Sequence, residues 1–301
     1  MAFEEGPLSR MLHDALEDLC AEVVSCDPSH NALIALAEDS NGERDARRLA
    51  KLAQLEAVRP VYVPPEPYRT LRSLLVHDEK LQRSITGVKN RMQGLCGRHG
   101  LRRVARSLST ARRRHAVLEK IEKGAIRRQR ESLCRRLDPL RQERAATHRV
   151  LAREARGLPE IERIDTIPGA GPITARTLVA WIADPKRFRG RRALCSCGGL
   201  GLGQGYTDWK PIGRARAAKR GNRAIKRVLF LAARAAVKSN SAPARRYQAQ
   251  RQAGLDERAA TRNLARTILF IACRLWKKGK DYDDTCVAVP GPHAGSTRDR
   301  P

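Results

Sequence analysis

Along the first 66 residues, apolar residues at helical spacing alternate with short runs that are typical of strands. Leucines at helical spacing predict a helix over residues 8–20, and the run AEVVSC after it predicts a short strand. Two more helices are predicted, from Ser29 through NALIALAE and over residues 44–55, and RPVYVPP predicts a short strand over residues 61–63. The order helix, strand, helix, helix, strand is typical of parallel strands joined by crossover helices.

Residues 67–156 follow a different pattern, in which apolar residues are separated by four, three, four and three positions. This spacing is a heptad seam formed by Leu81, Ile85, Val88, Met92 and Leu95. A break at His99-Gly100 separates the seam from a second helical stretch, which has the basic run ARRRH and leucines at 133, 137 and 140. We expect long helices that pair as a coiled coil across subunits. A helical hairpin inside one subunit is the alternative.

From residue 157 onward, glycine and proline become frequent again. A helix is predicted near residues 174–183, followed by the glycine-rich loop GGLGLGQGYTDWKPIG and by helices after Gly221-Asn222. The tail from residue 286 is rich in glycine, proline and charge and is predicted to be disordered. The last helix carries an apolar stripe, interpreted as core rather than as a cofactor site: Leu264, Thr267, Ile268, Ile271, Ala272, Leu275 and Trp276.

The charge of the chain indicates what kind of partner it has. Sixty Lys and Arg residues oppose 32 Asp and Glu residues, which gives a formal net charge of +28. A positive surplus of this size attracts polyanions. Arginine is the commoner cation, and its planar fork suits phosphate better than a point charge does. Nucleic acid is therefore the expected partner.

Membrane and secreted classes do not fit the chain. No stretch reaches the ~18 consecutive apolar residues of a membrane span, and MAFEEGPLSR lacks the basic and apolar regions of a signal peptide. The eight cysteines include no CxxC pair and no zinc-like spacing. We expect reduced, mostly buried thiols in a cytoplasmic protein.

The stretch IDTIPGAGPITARTL contains the most glycine-dependent turn of the chain. Its order of apolar, Pro, Gly, apolar and Gly before a helix matches the hairpin of a helix-hairpin-helix element. Glycines let a backbone approach phosphate closely, and free amides at a helix start bind anions. We predict contacts to phosphates rather than to bases, with a purely structural turn as the alternative. The predicted contact residues are Pro168, Gly169, Gly171 and Thr174.

A second basic element, GRARAAKRGNRAIKR, follows over residues 213–227. Its cations surround Gly221-Asn222, which starts a helix whose apolar residues face inward. We therefore expect the positive charge to lie on the Gly221-Asn222 turn and on the exposed face of the helix that follows it. We also expect this charge to lie beside the IPGAG turn. A solvated charged face is the alternative. The predicted nucleic-acid contacts are Arg214, Arg216, Lys219, Arg220, Asn222, Arg223 and Arg227.

Together these motifs resemble the transposases of insertion-sequence family 110 (the 110/116/902 group). The C-terminal stretches that carry the resemblance are IPGAGPITARTLVAWIADPKRF, LCSCGGLG and GRARAAKRGNRAIKRVLFLAA. FEEGPLSRML, VVSCDPS, RDARRLAKL, VYVPPEPYRTLRSLL and GVKNRMQGL resemble that family's acidic, nuclease-like N-terminal domain and the start of its coiled coil. The similarity covers roughly residues 2–285, with the motifs in the family's order.

The resemblance implies an α/β plus α fold. Its parts are a remnant of an RNase H-like (resolvase-like) domain over residues 1–66, a long helical coiled coil over 67–156, and a mainly helical C-terminal domain with a helix-hairpin-helix element over 157–285. A disordered tail over 286–301 follows. The resemblance also implies a DNA recombinase that acts as a homo-oligomer on insertion-element ends and target DNA. Its place is the bacterial cytoplasm, at the nucleoid, with no membrane partner, and a structured guide RNA selects its target.

The resemblance further implies that four acidic residues bind Mg²⁺ or Mn²⁺. Glu4 matches the family's glutamate, with Glu5 as the near alternative, and Asp45 matches its last aspartate. The aspartate expected three residues earlier falls on Gly42, and the aspartate of the first strand has no counterpart. Two acids instead of four are expected to bind metal poorly, because carboxylates neutralise and position the cations. Asp39 and Glu43 could replace the missing acid only in a shifted register.

The serine with which this family attacks a DNA phosphate aligns with Thr207, in GYTDW. Threonine keeps a hydroxyl nucleophile but adds a methyl group that restricts its rotamers. Ser196, in LCSCGGL, is expected to be a packing residue. We therefore expect a transposase that is impaired by N-terminal truncation and by the change at Thr207. The alternatives are a non-catalytic nucleic-acid-binding remnant of such a transposase and a helical RNA-binding protein with no transposition history.

Overall fold

The computed structural model describes residues 1–27, 41–98, 110, 112–113, 116, 124–207, 210–217 and 221–284. The chain divides into two compact units, one ending at Pro65 and the other beginning at Glu66. Helices dominate both units, as the sequence predicts. The helix predicted from Ser29 and the predicted disordered tail lie outside the described residues. Among the helices of the described ranges, none combines the length and the apolar character needed to cross a membrane.

The first unit contains β1 (Ala2–Glu4), α1 (Ser9–Leu16), β2 (Val24–Cys26) and α2 (Gly42–Gln54). β1 and β2 are parallel, with Phe3 opposite Ser25, and α1 lies in the connection between them. α2 packs against β1 and begins at Asn41, whose side chain accepts a hydrogen bond from the Glu43 amide at 3.2 Å. The predicted parallel pairing joined the β2 segment to a strand over residues 61–63, whereas the parallel partner of β2 is β1, which the apolar pattern did not predict. The helix α1 also ends earlier than predicted. The RNase H-like assignment stays a prediction.

The strand predicted over residues 61–63 does not form. Cys26 and Pro60 instead make an isolated antiparallel bridge, and the Val61 amide donates to the Ser25 carbonyl oxygen at 2.7 Å. Proline has no N–H to donate, and prolines stand on both sides of this segment. They limit the pairing to a single bridge.

The second unit begins with two long helices, α3 (Tyr68–Arg98) and α4 (Ala125–Glu154). The predicted heptad seam is buried, and Ile85, Val88 and Met92 pack with Leu133 and Leu137 in one hydrophobic cluster. The seam therefore pairs within the chain. The helical hairpin inside one subunit describes this segment, and the pairing expected across subunits is not what this chain shows.

A buried carboxylate fixes how α3 and α4 align. Asp78 accepts a hydrogen bond from Nε of Arg144 at 2.8 Å and lies 2.7 Å from Nε2 of His148. Asp78 lies in the first half of α3 and its partners in the second half of α4, so the two helices run antiparallel. A buried acid that loses its partners is strongly destabilising, so this cluster disfavours other alignments.

The rest of the second unit contains α5 (Pro159–Asp165), α6 (Pro172–Ile182), α7 (Arg191–Cys197), α8 (Arg223–Ala236), α9 (Ala242–Gln252) and α10 (Glu257–Lys278). One hydrophobic core joins most of these helices. Leu71 of α3 and Leu151 of α4 belong to the same core, so the base of the hairpin is anchored in it. The prediction that the stripe on the last helix is core is confirmed for its buried members: Leu264, Ile268, Ile271, Ala272 and Leu275.

Two arginines stabilise the end of α6. Nε of Arg72 donates to the Ala180 carbonyl oxygen at 2.8 Å, and its guanidinium lies 4.8 Å from the centroid of the Trp181 ring. Nε of Arg187 donates to the Ile182 carbonyl oxygen at 3.0 Å. Cations at this end of a helix satisfy free carbonyls and oppose the helix dipole. Part of the arginine excess is therefore structural.

The glycine-rich segment that was predicted to be a loop forms β3 (Leu202–Thr207) and β4 (Lys210–Ala217). The two strands are antiparallel, and the register shifts between Gly203 and Gly205. The prediction of a loop is wrong because glycines and scarce β-branched residues hide the strand pattern. The backbone ladder forms without that pattern.

The seven cysteines of the described ranges are free thiols. Cys26, Cys96 and Cys273 are buried and the other four are half-buried, so burial is less complete than predicted. Burial raises the pKa of Cys96 and raises that of Cys273 to about 12, which keeps both thiols protonated near neutral pH.

Candidate nucleic-acid interface

The IPGAG turn joins α5 to α6 and lies against α8. Gly169 has a φ of 86°, in the region that favours glycine. A Cβ added there would lie 2.4 Å from the Ala232 carbonyl oxygen and 2.6 Å from the Ala236 amide nitrogen. Packing against the backbone of α8 therefore requires glycine at this position, whatever the turn binds. The helix-hairpin-helix assignment stays a prediction.

The start of α6 is the part of this turn that could meet phosphate. Gly171 precedes the helix with a φ of −97°, and an added Cβ there would meet nothing within 4 Å. Within the described part of the chain, the amides of Ile173 and Thr174 have no backbone acceptor. The Thr174 side chain is 8% exposed, so only its amide could reach a ligand. Two amides at a positive helix end can bind an anion.

Charges next to this turn are balanced rather than basic. Asp165 at the end of α5 interacts with Arg176 on α6. Burial raises the pKa of the Asp165 carboxyl and lowers that of the Arg176 guanidinium, and each group partly offsets the effect on the other. Beside its backbone amides, the turn thus has at least one carboxylate that opposes a neighbouring guanidinium.

The Gly-Asn turn is also shaped by packing. Gly221 has a φ of 112°, and a Cβ there would lie 2.4 Å from Cα of Gly199. Oδ1 of Asn222 accepts hydrogen bonds from the Ala224 and Ile225 amides at 2.9 and 3.1 Å, which caps α8. The Asn222 carboxamide oxygen is therefore occupied within the protein. Asn222, which was predicted to contact nucleic acid, thus caps the start of a helix in the structure.

Two exposed cations, Arg223 and Arg227, lie in the first half of α8 after this second turn. Arg223, in the first turn of α8, is exposed, and Nη1 of Arg227 lies 2.8 Å from a carboxylate oxygen of Glu79 on α3. Cations at the positive end of a helix are unfavourable, and a bound anion would relieve that repulsion. Sequence reasoning missed Glu79, because no local signal links it to a residue so far along the chain. Of the remaining predicted contacts, Arg214 and Arg216 lie in β4, whereas Lys219 and Arg220 lie outside the described residues.

The two turns lie at different ends of α8. Gly169 contacts the helix at Ala232 and Ala236, whereas Gly221 lies just before its first residue. At 1.5 Å per residue, the contacts are separated by about 14–20 Å along the helix. The expectation that the basic element lies beside the first turn is therefore wrong. The separation equals about four to six base steps along a DNA strand.

The predicted acidic residues lie in the first unit. Glu4 ends β1 and is exposed, and Asp45 lies half-buried in the first turn of α2, 3.4 Å from Nη1 of Arg48. Because α2 packs against β1, the two acids belong to neighbouring elements. Gly42 begins α2 three residues before Asp45, and an added Cβ there would meet nothing within 4 Å. The alternatives are Glu5, which is exposed, Glu43, which pairs with Arg47 at 2.7 Å, and Asp39, outside the described residues.

Two carboxylates are an adequate but weak donor set for a divalent cation. Mg²⁺ prefers oxygen ligands, keeps several waters and often uses only one or two carboxylates of the protein. Arg48 competes with a cation for Asp45. A group of three possible ligands, with atoms within 4.8 Å of one another, occurs elsewhere in the described ranges, on α1, and contains neither predicted acid: His13, Asp14 and Glu17.

Thr207 is the last residue of β3 and lies opposite Lys210, at the tip of the two-stranded ribbon. The strand places it about 17 Å from Leu202 at the base, at ~3.4 Å per residue. It belongs to the second unit, whereas Glu4 and Asp45 belong to the first. Ser196, predicted to be a packing residue, is exposed at the end of α7, and its carbonyl oxygen rather than its side chain faces Gly221.

Comparison with known proteins shows that this chain is similar to transposases. The family model described as "Transposase IS116/IS110/IS902 family" matches residues 161–248, from α5 into α9. A "Probable family 20 transposase" of Pseudomonas aeruginosa is 26% identical over 214 residues, which cover 66% of this chain and 60% of the relative. The matched region thus spans about 60% of that relative's length. Both comparisons support the resemblance to the 110/116/902 group of insertion-sequence transposases.

Proposed function

We propose that the chain is a DNA-binding transposase of an insertion sequence, a kind of protein that cuts and exchanges DNA strands, and that this activity is impaired in this chain. One observation carries the proposal. The segment that matches the family model, residues 161–248, also contains both glycine turns, the β3–β4 ribbon and the cationic start of α8. The family similarity and the candidate phosphate contacts therefore coincide in one region.

In this proposal the protein binds DNA at two points along α8. The amides of Ile173 and Thr174 meet one phosphate, and Arg223 with Arg227 meets others several base steps away. Neither contact reads a base, so binding is governed by phosphate charge. Arg227 also forms an ion pair with Glu79 of α3, with which a phosphate would have to compete.

For strand cleavage we propose that the hydroxyl oxygen of Thr207 attacks a DNA phosphate. A bond forms between that oxygen and phosphorus while the threonine hydroxyl gives its proton to water. The bond to one DNA oxygen breaks, and the released oxygen takes up a proton from water as a hydroxyl. Glu4 and Asp45 would hold Mg²⁺ or Mn²⁺, which stabilises negative charge on the reacting phosphate. Thr207 is the last residue of β3, at the tip of the β3–β4 ribbon, where the proposed attack would take place.

The resemblance extends the proposal to partners. Insertion-element ends and target DNA are the substrates, a structured RNA guides target choice, and the chain works as a homo-oligomer. A second candidate function is a non-catalytic nucleic-acid-binding remnant of such a transposase. It is favoured by Thr207 in place of serine, by Gly42 in place of an acid, and by the pairing of Asp45 with Arg48.

Strand exchange by the purified chain tests these two candidates. We expect DNA binding but no detectable strand exchange with Mg²⁺ or Mn²⁺, because losing one positioned electrostatic group commonly lowers rates by ~10²–10³. Gly42→Asp combined with Thr207→Ser should raise cleavage, since Gly42 has room for a side chain on the face of Asp45. Cleavage that survives Thr207→Val would rule out this nucleophile, and a wild type that binds no DNA would end the proposal.

A further inference from the structure

One edge of the α3–α4 hairpin changes character along its length. The spacing of the seam puts Ile85 and Met92 of α3 and Leu137 of α4 at a positions of the heptad. The g positions, which directly precede the a positions, lie on this edge in both helices. Near the base, His77 and Glu143 occupy g positions and approach each other at 3.6 Å. Toward the tip, the g positions are Arg91 and Arg98 on α3 and Gln129 and Arg136 on α4, so three of the four are arginine. Opposite charges are usual at such flanking positions, and like charges destabilise the pairing.

These three arginines line a groove of about 400 Å³ between the helices. That volume holds roughly a dozen waters at about 30 Å³ each. Leu95 and Leu133 form its buried floor, and an added Cβ at Gly94 would meet nothing within 4 Å, so the groove is open. The remaining lining residues are Gln129 and Ser132.

Among the residues that the structure describes, no carboxylate compensates the three arginines. All three are exposed, and within the described ranges none lies within ion-pair distance of an acid. Residues 80–98 and 125–141 together carry eleven Lys and Arg against two Asp and Glu. A single small anion would leave most of that charge uncompensated, whereas a phosphodiester backbone places one charge every few ångströms along the groove.

The groove lies apart from the contacts proposed at α8. Arg227 contacts α3 at Glu79, twelve residues and about 18 Å before Arg91 at 1.5 Å per residue. At 3.6 residues per turn, Glu79 and Arg91 are also roughly 120° apart around α3. A segment of DNA held at α8 and a segment held in the groove therefore occupy different sides of this helix.

We propose that the groove lined by Arg91, Arg98 and Arg136 binds the phosphate backbone of a second DNA segment. This inference rests on the proposed function, because strand exchange requires one protein assembly to hold two DNA segments. The like-charged edge, which weakens the hairpin when empty, is stabilised when the phosphates are bound.

Capture of two duplexes tests the proposal. A DNA duplex of roughly 30 base pairs, about three helical turns, is fixed to beads and loaded with the full chain, and a second, labelled duplex of the same length is added. The wild type should retain the labelled duplex. Arg91→Ala combined with Arg98→Ala and Arg136→Ala should still bind the fixed duplex but reduce capture of the labelled one at least tenfold.

A variant with the same loss of charge provides the control. Arg128, Arg135 and Arg149 are exposed on α4 at the f position, the one most distant from α3. Replacing all three with Ala should leave capture within about twofold of wild type.

Arg91→Glu gives a second check on folding, because the new acid can pair with Arg136. It should raise the melting temperature of the protein while abolishing capture.

The outcomes separate this inference from the proposed function. If the wild type fails to bind the fixed duplex, the proposed function fails and this inference with it. If the fixed duplex binds but the groove variant captures the labelled duplex normally, or if the control loses as much, the groove has no such role. A groove variant that loses a labelled RNA duplex while keeping DNA would also overturn the proposal.

Discussion

The two glycine turns at the ends of α8 look alike in sequence but differ in what surrounds them. Gly169 and Gly221 both have positive φ, and both pack so closely on a neighbouring backbone that a side chain cannot fit. The first turn has balanced charge, from Asp165 and Arg176. The second has Arg223 exposed in the first turn of the helix.

This difference separates two roles that a glycine motif combines. Close backbone packing explains the glycine at both turns, so the glycine itself says little about phosphate. What distinguishes a phosphate contact is the supply of unpaired amides or of cations. By that measure the first turn offers amides and the second offers charge. Substitutions that change only the packing, or only the charge, test whether the two turns really differ in this way.

The largest effect is expected for Gly169→Ala. Its Cβ would lie 2.4 Å from a carbonyl oxygen and 2.8 Å from Cβ of Ala236, within a helix that cannot shift locally. Strain at positive φ adds to this overlap, so the free energy of unfolding should fall by roughly 2–4 kcal/mol. Chemical denaturation measures the loss. An unfolding midpoint equal to that of the wild type would show that the turn does not pack on α8.

Gly221→Ala should have a smaller effect, roughly 1–3 kcal/mol. The overlap is again with backbone, at 2.4 Å from Cα of Gly199, but that residue lies in a connection after α7 rather than inside a helix. The connection can move more easily than α8 can. The same denaturation series ranks the two variants, and a larger loss for Gly221→Ala would reverse this comparison.

The limits of sequence reasoning are visible in the same residues. Local spacing was enough to predict the heptad of α3 and the buried stripe of α10, because apolar periodicity depends on neighbours in sequence. It could not decide whether the seam pairs with α4 or with another subunit, since both bury the same residues. It could not show that Gly169 meets Ala232, because that contact joins distant parts of the chain. The ribbon that carries Thr207 was missed because glycine leaves no side-chain pattern.

Removing charge at the second turn should weaken DNA binding without destabilising the fold. Arg223→Ala with Arg227→Ala should lower affinity about tenfold and flatten the dependence of log affinity on log salt by up to about 1.8, at ~0.9 per phosphate contact. Relief of repulsion at the positive end of α8 should largely offset the loss of the Arg227–Glu79 ion pair, so the free energy of unfolding should change by less than about 1 kcal/mol. A salt titration of duplex binding measures the slope.

The matched control for this variant lies on α10, where Arg258 and Arg274 are both exposed. Replacing them with Ala removes the same charge from the whole protein but not from the turn. If affinity falls equally in the two variants, the protein attracts DNA through its overall charge, and the start of α8 has no special part in binding.

The smallest change in stability, and the sharpest test of the first turn, is Gly171→Ala. Its φ is −97° and an added Cβ meets nothing within 4 Å, so unfolding should change by at most about 0.5 kcal/mol. The new methyl group would nevertheless stand at the start of α6, where a phosphate would approach the Ile173 and Thr174 amides. If these amides bind DNA, affinity should fall several-fold while the fold is intact. Unchanged affinity would assign the IPGAG turn to packing alone and leave the DNA contacts of this region to the charged start of α8.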